Sequence, residues 1–194
     1  MAGILCLLFC FVGANCVHFS FCGDIMTKKT RKLTQAALIA ALYVALTYLQ
    51  NFILPGTTSM AIQVRAAEAL CVLALFTPSA VWGLTVGCLL FNLSYAHTLP
   101  LDFLVGTLAS FLAAGGMYLT RKVTIFGYPL LAMLLPAVFN GLLIGWELSF
   151  YIGGGFWINA IYVAVGEMIS LLTLGSFLYY TIRSRHLDAW LRSF

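Results

Sequence analysis

Polar side chains that could bind a ligand or take part in a reaction are rare in this sequence, and three of them lie close together in Gln63-Val-Arg65-Ala-Ala-Glu68. They place an amide, a guanidinium and a carboxylate in a chain that is 62% hydrophobic and 8% charged. A charge in hydrocarbon is costly unless it is paired or hydrated, so Arg65 and Glu68 indicate a binding site inside a membrane. The alternative is a structural ion pair, because residues three apart on a helix share one face.

Seven further polar or aromatic side chains interrupt the apolar segments that follow. A helix rises about 1.5 Å per residue, which places these groups at similar depths if each segment crosses a bilayer. Asn140 and Glu147 are seven residues apart and share a helix face. The predicted ligand-binding residues are Gln63, Arg65, Glu68, Asn92, Asn140, Trp146, Glu147, Trp157, Asn159 and Glu167.

This set of side chains suits a small, flat ligand that donates hydrogen bonds. A carboxylate accepts two parallel N–H bonds, an amide fixes an adjacent edge, and an aromatic ring stacks on the ligand face. An amine on the ligand would pair with a second carboxylate. Glu147 has an alternative interpretation as a hydrated charge at a loop edge, because it falls near the surface. Asp102 and His97 are expected at the membrane interface rather than at the ligand.

The composition is that of an all-α integral membrane protein. The mean hydropathy is +1.01, and 15 Phe and 9 Tyr accompany only 5 Pro among 194 residues, which is typical of the membrane class. The net charge of +4 comes from short basic clusters at the ends of apolar segments, a pattern that signals topology and contact with the lipid bilayer rather than nucleic-acid binding.

The sequence lacks the motifs of the common enzyme classes. There is no phosphate-binding loop, no zinc-protease motif, no serine-nucleophile motif and no dinucleotide-binding motif. The six cysteines also lack the spacing of zinc ligands. We therefore expect no cofactor, no metal and no enzymatic activity.

Six transmembrane helices are predicted from the apolar segments, since about 20 apolar residues cross a bilayer core. They are residues 33–54, 61–76, 80–95, 101–119, 125–148, and a sixth that begins at Trp157 and ends before Arg183. Basic residues at 28–32, 121–122 and 183–185 mark the cytoplasmic side, so both ends of the domain are predicted to be cytoplasmic in the cell membrane.

Arg65 is the basic residue that departs from this pattern, because it falls on the outer side and within a span. The polar residues all fall in the outer half of the predicted bundle, whereas the inner half is apolar. This distribution predicts a ligand pocket that opens outward and is closed toward the cytoplasm.

Residues 1–25 form an apolar leader without Lys or Arg, which the basic region of a secretory signal would require. They could be an extra span, an unusual signal, or sequence upstream of a true start at Met26. The basic cluster directly after Met26 favours the last interpretation. Residues 26–194 are then expected to form a single six-helix membrane domain.

Alanines repeat at four-residue spacing in the first predicted helix. The pairs are Ala36 with Ala40 and Ala37 with Ala41. Such a strip of small residues allows another helix to approach closely and predicts a partner-binding surface. The alternative is ordinary packing within the bundle.

Several short motifs, in their order and spacing over residues 26–185, resemble the QueT family. This family comprises membrane substrate-binding subunits (S components) of energy-coupling factor transporters. The motifs are Gln63-x-Arg65-x-x-Glu68-Ala-Leu, Thr77-Pro78-x-Ala80, Gly87-Cys88-x-x-x-Asn92-Leu, Leu101-Asp102-x-x-x-Gly106-Thr107-Leu-Ala109, Phe139-Asn140, Gly145-x-Glu147-Leu and Gly166-Glu167-x-Ile-Ser.

The resemblance implies a six-helix S-component bundle that takes up a queuosine precursor, a deazaguanine base such as its aminomethyl derivative. A transmembrane coupling subunit and an ATPase pair would supply the energy. The alanine strip would contact the coupling subunit, and the loop at residues 55–59 would act as a lid.

Three alternatives remain open at this point. The chain could be an S component for another vitamin-like ligand, or a self-sufficient ion-coupled carrier whose carboxylates relay protons. It could also be an intramembrane enzyme that uses its glutamates as acid and base. The sequence shows no internal repeat, which disfavours the carrier, and no nucleophile near the predicted pocket, which disfavours the enzyme.

Overall fold

Helices account for nearly all of the residues that this computed structural model describes, which are 28–55, 65–94, 101–125, 127–151 and 153–192. In these ranges the α-helices are α1 (Lys28–Ile53), α2 (Ser79–Ser94), α3 (Asp102–Thr120), α4 (Leu130–Tyr151), α5 (Phe156–Ser170), α6 (Ser176–Ser184) and α7 (Leu187–Arg192). A 3-10 helix, Ala66–Leu75, lies between α1 and α2, and a π-helical segment, Leu171–Gly175, joins α5 to α6.

Four helical segments in the described ranges are long and apolar enough to cross a membrane, judged by length and composition. They are Lys28–Ile53, Asp102–Thr120, Leu130–Tyr151 and the continuous run Phe156–Ser184. Two further apolar helices, Ala66–Leu75 and Ser79–Ser94, are shorter. The predicted all-α class is thus confirmed for the described residues, whereas the six-span count stays a prediction. The leader at residues 1–25 and residues 56–59 of the predicted lid at 55–59 lie outside these ranges.

The 3-10 helix lies at the centre of the bundle. Eight of its 10 residues are buried, and it contacts each of the helices α1 to α6. The sequence predicted an α-helix here, so the helix type is corrected. A 3-10 helix is narrower than an α-helix and rises about 2.0 Å per residue, so 10 residues span about 20 Å instead of about 15 Å. The narrow form fits a segment that is packed on all sides.

The predicted fifth span begins later than expected. Before it, the backbone N–H groups of Ile125 and Tyr128 donate to each other's carbonyl oxygens at 2.9 and 3.0 Å, as in a tight turn. Gly127 has a φ of 78° in this turn, a conformation that favours glycine. Helix α4 therefore begins only after Pro129, and Pro136 lies inside it.

Helices α1 and α2 approach each other so closely that glycine is required at two positions. A Cβ added at Gly83 would lie 2.6 Å from the backbone oxygen of Ala36, and one at Gly87 would lie 2.9 Å from Cβ of Tyr43 and 3.0 Å from the backbone oxygen of Ala40. Small residues that allow such approach are typical of helix packing in membranes.

This contact divides the predicted alanine strip in two. Ala36 and Ala40 face α2 and pack within the bundle, so their partner-binding role stays a prediction that the structure does not favour. Ala37 and Ala41 lie on the other side of the helix, where both are exposed. The division follows from helix geometry, because consecutive residues are rotated by about 100° around the axis.

A Gly83→Ala substitution should lower stability, because the added methyl group meets backbone atoms that cannot move aside. We expect a loss of roughly 1–3 kcal/mol, the usual cost of overpacking. Gly115→Ala is the matched control, since nothing lies within 4 Å of a Cβ at that helical position. Thermal unfolding of the detergent-solubilised protein measures both variants, and equal melting temperatures would contradict the close α1–α2 contact.

Candidate functional site

Glu68 lies in the first turn of the 3-10 helix and is fully buried. Its two carboxylate oxygens have different donors. The Tyr43 hydroxyl of α1 donates to Oε1 at 2.8 Å, and the Cys71 thiol donates to Oε2 at 3.3 Å. Both interactions hold the carboxylate in one orientation at the centre of the bundle.

Arg65 immediately precedes the 3-10 helix, with an extended backbone at φ −105° and ψ 108°. The following residue is anchored to α1, because the Ala66 N–H donates to the side-chain oxygen of Gln50 at 2.7 Å. The guanidinium is buried and interacts electrostatically with Asp102 and Glu68. Its Nε has no hydrogen-bond partner among the described residues.

Asn92 and Asp102 meet where α2 and α3 face each other. The Asn92 amide donates to the backbone oxygen of Asp102 at 3.0 Å and to the Cys88 sulfur at 3.4 Å. A Cβ at Gly106 would lie 2.6 Å from Asn92 Nδ2 and 2.7 Å from Asp102 Oδ1. Glycine at this position therefore leaves room for both polar side chains.

Asp102 is half-buried, and its expected place at the membrane interface stays a prediction. Its Oδ1 atom is buried and has no hydrogen-bond partner in the part of the chain that the structure describes. The residue lies in the first turn of α3 and its carboxylate folds inward over Gly106. The spacing of four between Asp102 and Gly106 is the sequence signal that could have revealed this arrangement, because such residues are neighbours on a helix.

Glu167 of α5 and Asn140 of α4 lie side by side in the bundle interior. Glu167 interacts electrostatically with Glu68 and Arg65, and the Asn140 amide is beside its carboxylate. Neither side chain makes a hydrogen bond of good geometry within the described ranges, although both are almost completely buried.

Glu147 is only 2% exposed, so the alternative of a hydrated loop-edge charge does not hold. It interacts electrostatically with Asp102 and Arg65, and neither carboxylate oxygen has a hydrogen-bond partner among the residues described. Helices α4 and α5 approach each other closely next to Glu147, since a Cβ at Gly145 would lie 2.6 Å from Cα of Ala160. This close packing contributes to the burial of Glu147.

These contacts define one polar cluster. Its members are Arg65, Glu68, Asn92, Asp102, Asn140, Glu147 and Glu167. Eight buried side-chain atoms of the cluster lack a hydrogen-bond partner in the described chain, whereas proteins pair the large majority of such atoms. The cluster has the property expected of a site that is completed by a ligand. Six of its side chains are buried and that of Asp102 is partly buried, and the predicted outward opening stays a prediction.

Four of the predicted ligand-binding residues are not placed among these groups. Trp146 and Trp157 are 51% and 69% exposed, and their rings contact Phe150 and Phe156. Large aromatic residues at helix ends are typical of membrane–water interfaces.

The amide of Asn159 donates to the backbone oxygen of Gly153 at 3.1 Å and so fastens the turn between α4 and α5. Gln63 and His97 lie outside the described residues. The ligand-binding roles of the two tryptophans, Asn159 and Gln63 remain predictions.

Sequence reasoning also missed Tyr43. It was hidden within an apolar helix and is 1% exposed. Tyr43 is recognised as part of the site only because its hydroxyl donates to Glu68, which is 25 residues away in the sequence. No local spacing signals such a contact.

The chain matches the family model described as "QueT transporter" over residues 33–184, which is more than half of the sequence. The comparisons with curated proteins and with solved structures gave no match. The family match confirms the resemblance found in the sequence motifs.

Replacing an unpaired carboxylate with an apolar group should stabilise the ligand-free protein. Each unsatisfied buried polar group costs about 1–3 kcal/mol, so we expect Glu167→Leu to raise the melting temperature, by about 2–4 °C per kcal/mol recovered. Glu68→Leu is the matched comparison and should lower it, because the Tyr43 and Cys71 donors lose their acceptor. Unfolding curves without ligand test this, and a lower melting temperature for both variants would show that Glu167 is structurally satisfied.

Proposed function

Because the chain belongs to the QueT transporter family, we propose that it is the substrate-binding membrane subunit of an energy-coupling factor transporter. The family and the four long apolar helices make it a multi-pass membrane transport protein. The observation that carries the finer proposal is the polar cluster, whose unpaired atoms lie in the interior of an apolar bundle. A transported ligand would provide their hydrogen-bond partners.

The proposed ligand is a queuosine precursor of the deazaguanine class. Four carboxyl groups, those of Glu68, Asp102, Glu147 and Glu167, each interact electrostatically with the guanidinium of Arg65. This excess of acidic groups favours a ligand that donates hydrogen bonds and carries positive charge. The ring N–H and exocyclic amine of a deazaguanine would donate to one carboxylate, and an aminomethyl group would pair with another.

The members of the cluster would have different roles in ligand binding. Glu68 is already oriented by Tyr43 and Cys71, so it can receive ligand donors without rearrangement, which lowers the entropic cost of binding. Glu147, Glu167 and Asn140 have free acceptors or donors within the described chain. They would supply the contacts that form only when the ligand is present.

The energy for uptake would come from partner subunits. The sequence has no ATP-binding motif, and the family resemblance implies a transmembrane coupling subunit and an ATPase pair. The exposed residues Ala37 and Ala41 of α1 support a helix-docking surface for the coupling subunit, because small residues allow close helix contact. Both termini of the domain would then be cytoplasmic.

One observation favours an ion-coupled carrier as a second candidate. Unpaired intramembrane carboxylates such as Glu147 and Glu167 are also the groups that relay protons in carriers. Uptake by vesicles that contain this chain alone would decide for the carrier, whereas uptake that requires the coupling subunit and ATPases would decide for the S component. An S component for a different vitamin-like ligand would show itself in the ligand panel below.

Purified protein in detergent should bind aminomethyl-deazaguanine at a ratio of one to one without ATP or an ion gradient. Binding only to the folded state raises the melting temperature. We expect Glu167→Gln, Glu147→Gln and Asp102→Asn each to weaken binding at least about tenfold, which corresponds to about 1.4 kcal/mol. Calorimetric titration measures the stoichiometry and affinity.

Two controls accompany this titration. Thr85→Val removes a hydroxyl that donates to the Val81 backbone oxygen within α2, about two helical turns from Asn92, and should leave affinity unchanged. A neutral deazaguanine without the amine should bind more weakly than the aminomethyl form. If the folded protein binds neither compound but is stabilised by a flavin, thiamine or biotin, the deazaguanine assignment is wrong. If it binds none of them, the receptor proposal itself fails.

Enlarging the exposed alanines should block assembly without affecting ligand binding. We expect Ala37→Leu with Ala41→Leu to reduce co-purification with the coupling subunit at least fivefold, because the bulkier side chains hold the partner helix away. Val138→Leu enlarges an exposed position on α4 and serves as the control. Retained assembly in the alanine variant would show that the docking surface lies elsewhere.

A further inference from the structure

A cleft of ≈ 130 Å³ lies beside the C-terminal end of α3. Its walls come from four parts of the chain, namely the end of the 3-10 helix, the segment between α3 and α4, helix α6 and the short helix α7. The side chains that give it polar character are Arg121, Thr124, Tyr179, Arg183 and Asp188. The volume is roughly ten times what one water molecule requires, so the cleft can hold a larger polar group.

Arg121 is fixed at one wall of the cleft. Its Nη1 donates to the backbone oxygen of Tyr118 at 2.7 Å, and its guanidinium lies 3.8 Å from the centroid of the Tyr118 ring. A guanidinium has five N–H donors, so most remain available after this bond. Stacking on the ring restricts the side chain and reduces the entropy that binding would cost.

Arg183 is held at the other wall in a similar way. Its Nη1 donates to the Tyr179 hydroxyl at 2.9 Å, and the guanidinium lies 5.7 Å from the ring of the same tyrosine. Within the described chain neither Arg121 nor Arg183 forms a salt bridge, although the Asp188 carboxylate also lines the cleft. Two positioned cations therefore face one polar space that contains a single carboxylate, Asp188, with which neither forms a salt bridge in the described chain.

The cleft and the polar cluster are separate sites. Asp102 begins α3 and Arg121 follows its last residue; the 19-residue helix between them is about 28 Å long. This places the cleft near the membrane surface that the basic residues mark as cytoplasmic. Apolar helix ends adjoin it, since the buried rings of Phe76 and Tyr179 line its floor.

We propose that this cleft binds a phosphate group, carried by the headgroup of an anionic phospholipid in the cytoplasmic leaflet or by free phosphate. Arginine pairs match phosphate oxygens with several parallel N–H donors, and basic pockets between helix ends on the cytoplasmic side bind anionic lipid headgroups. The position at the membrane surface favours the lipid. Asp188 at the rim opposes the anion and limits its affinity.

The test uses the purified full chain in detergent with short-chain phosphatidylglycerol, phosphatidylcholine of the same chain length, and inorganic phosphate as separate probes. Native mass spectrometry counts the bound molecules. We expect one tightly bound phosphatidylglycerol molecule per chain and weaker binding of phosphatidylcholine. The double variant Arg121→Gln with Arg183→Gln should bind phosphatidylglycerol at least tenfold more weakly. The Asp188→Asn variant should bind it more tightly, because a carboxylate that repels the phosphate is removed.

The matched control is Lys122→Gln with Arg185→Gln, which removes the same charge from two exposed neighbours that do not line the cleft. It should change affinity less than twofold. Melting temperatures of both double variants show whether each is folded, and deazaguanine binding at the distant cluster should be equal in the two.

The outcomes are distinct. Equal losses in the two double variants would reduce the effect to diffuse surface charge and overturn the proposal, as would equal binding of the two lipids. Displacement of phosphatidylglycerol by equimolar phosphate would support the phosphate site with free anion as its source. Loss of coupling-subunit assembly in the arginine variant, with no lipid bound to the parent protein, would make the cleft a protein contact and also overturn the proposal.

Discussion

The burial of carboxylates without partners is the constraint on which this structure depends. Both oxygens of Glu147 and of Glu167 are unpaired within the described chain, and each such group costs folding free energy. The surrounding helices must offset that cost by packing. They do so where α1 meets α2 and where α4 meets α5, since glycines there bring the backbones into direct contact. Without these contacts, the bundle could not hold acidic groups in an apolar interior.

The 3-10 helix divides the carboxylates into two kinds. It carries Glu68 to the centre, where Tyr43 and Cys71 donate to it, so this carboxylate is a fixed part of the fold. Glu167 and Glu147 come from neighbouring helices and accept no hydrogen bond of good geometry from the described residues. One carboxylate is thus oriented before a ligand binds, and the other two can accept hydrogen bonds from it. This combination limits the entropic cost of ordering side chains on binding.

The sequence was sufficient to predict the all-α class and most of the cluster, because a charge in an apolar helix is too costly to be incidental. Glu68, Asn92, Asn140, Glu147 and Glu167 were found in this way. What it could not predict depends on tertiary contacts. The 3-10 geometry results from packing on every side, and the inward turn of Asp102 depends on space at Gly106. The exposure of Trp146 depends on helix rotation, which spacing alone does not fix.

Glycine has two different uses in this bundle, and the difference separates structure from function. At Gly83 and Gly145 the missing Cβ admits the backbone of a neighbouring helix, which provides van der Waals contact where lipid offers no hydrophobic driving force. At Gly106 it admits the polar tips of Asn92 and Asp102 instead. Alanine there would improve helix propensity, but its Cβ would displace these two polar side chains. That the space holds an amide and a carboxylate ties Gly106 to the polar cluster rather than to the packing of α3.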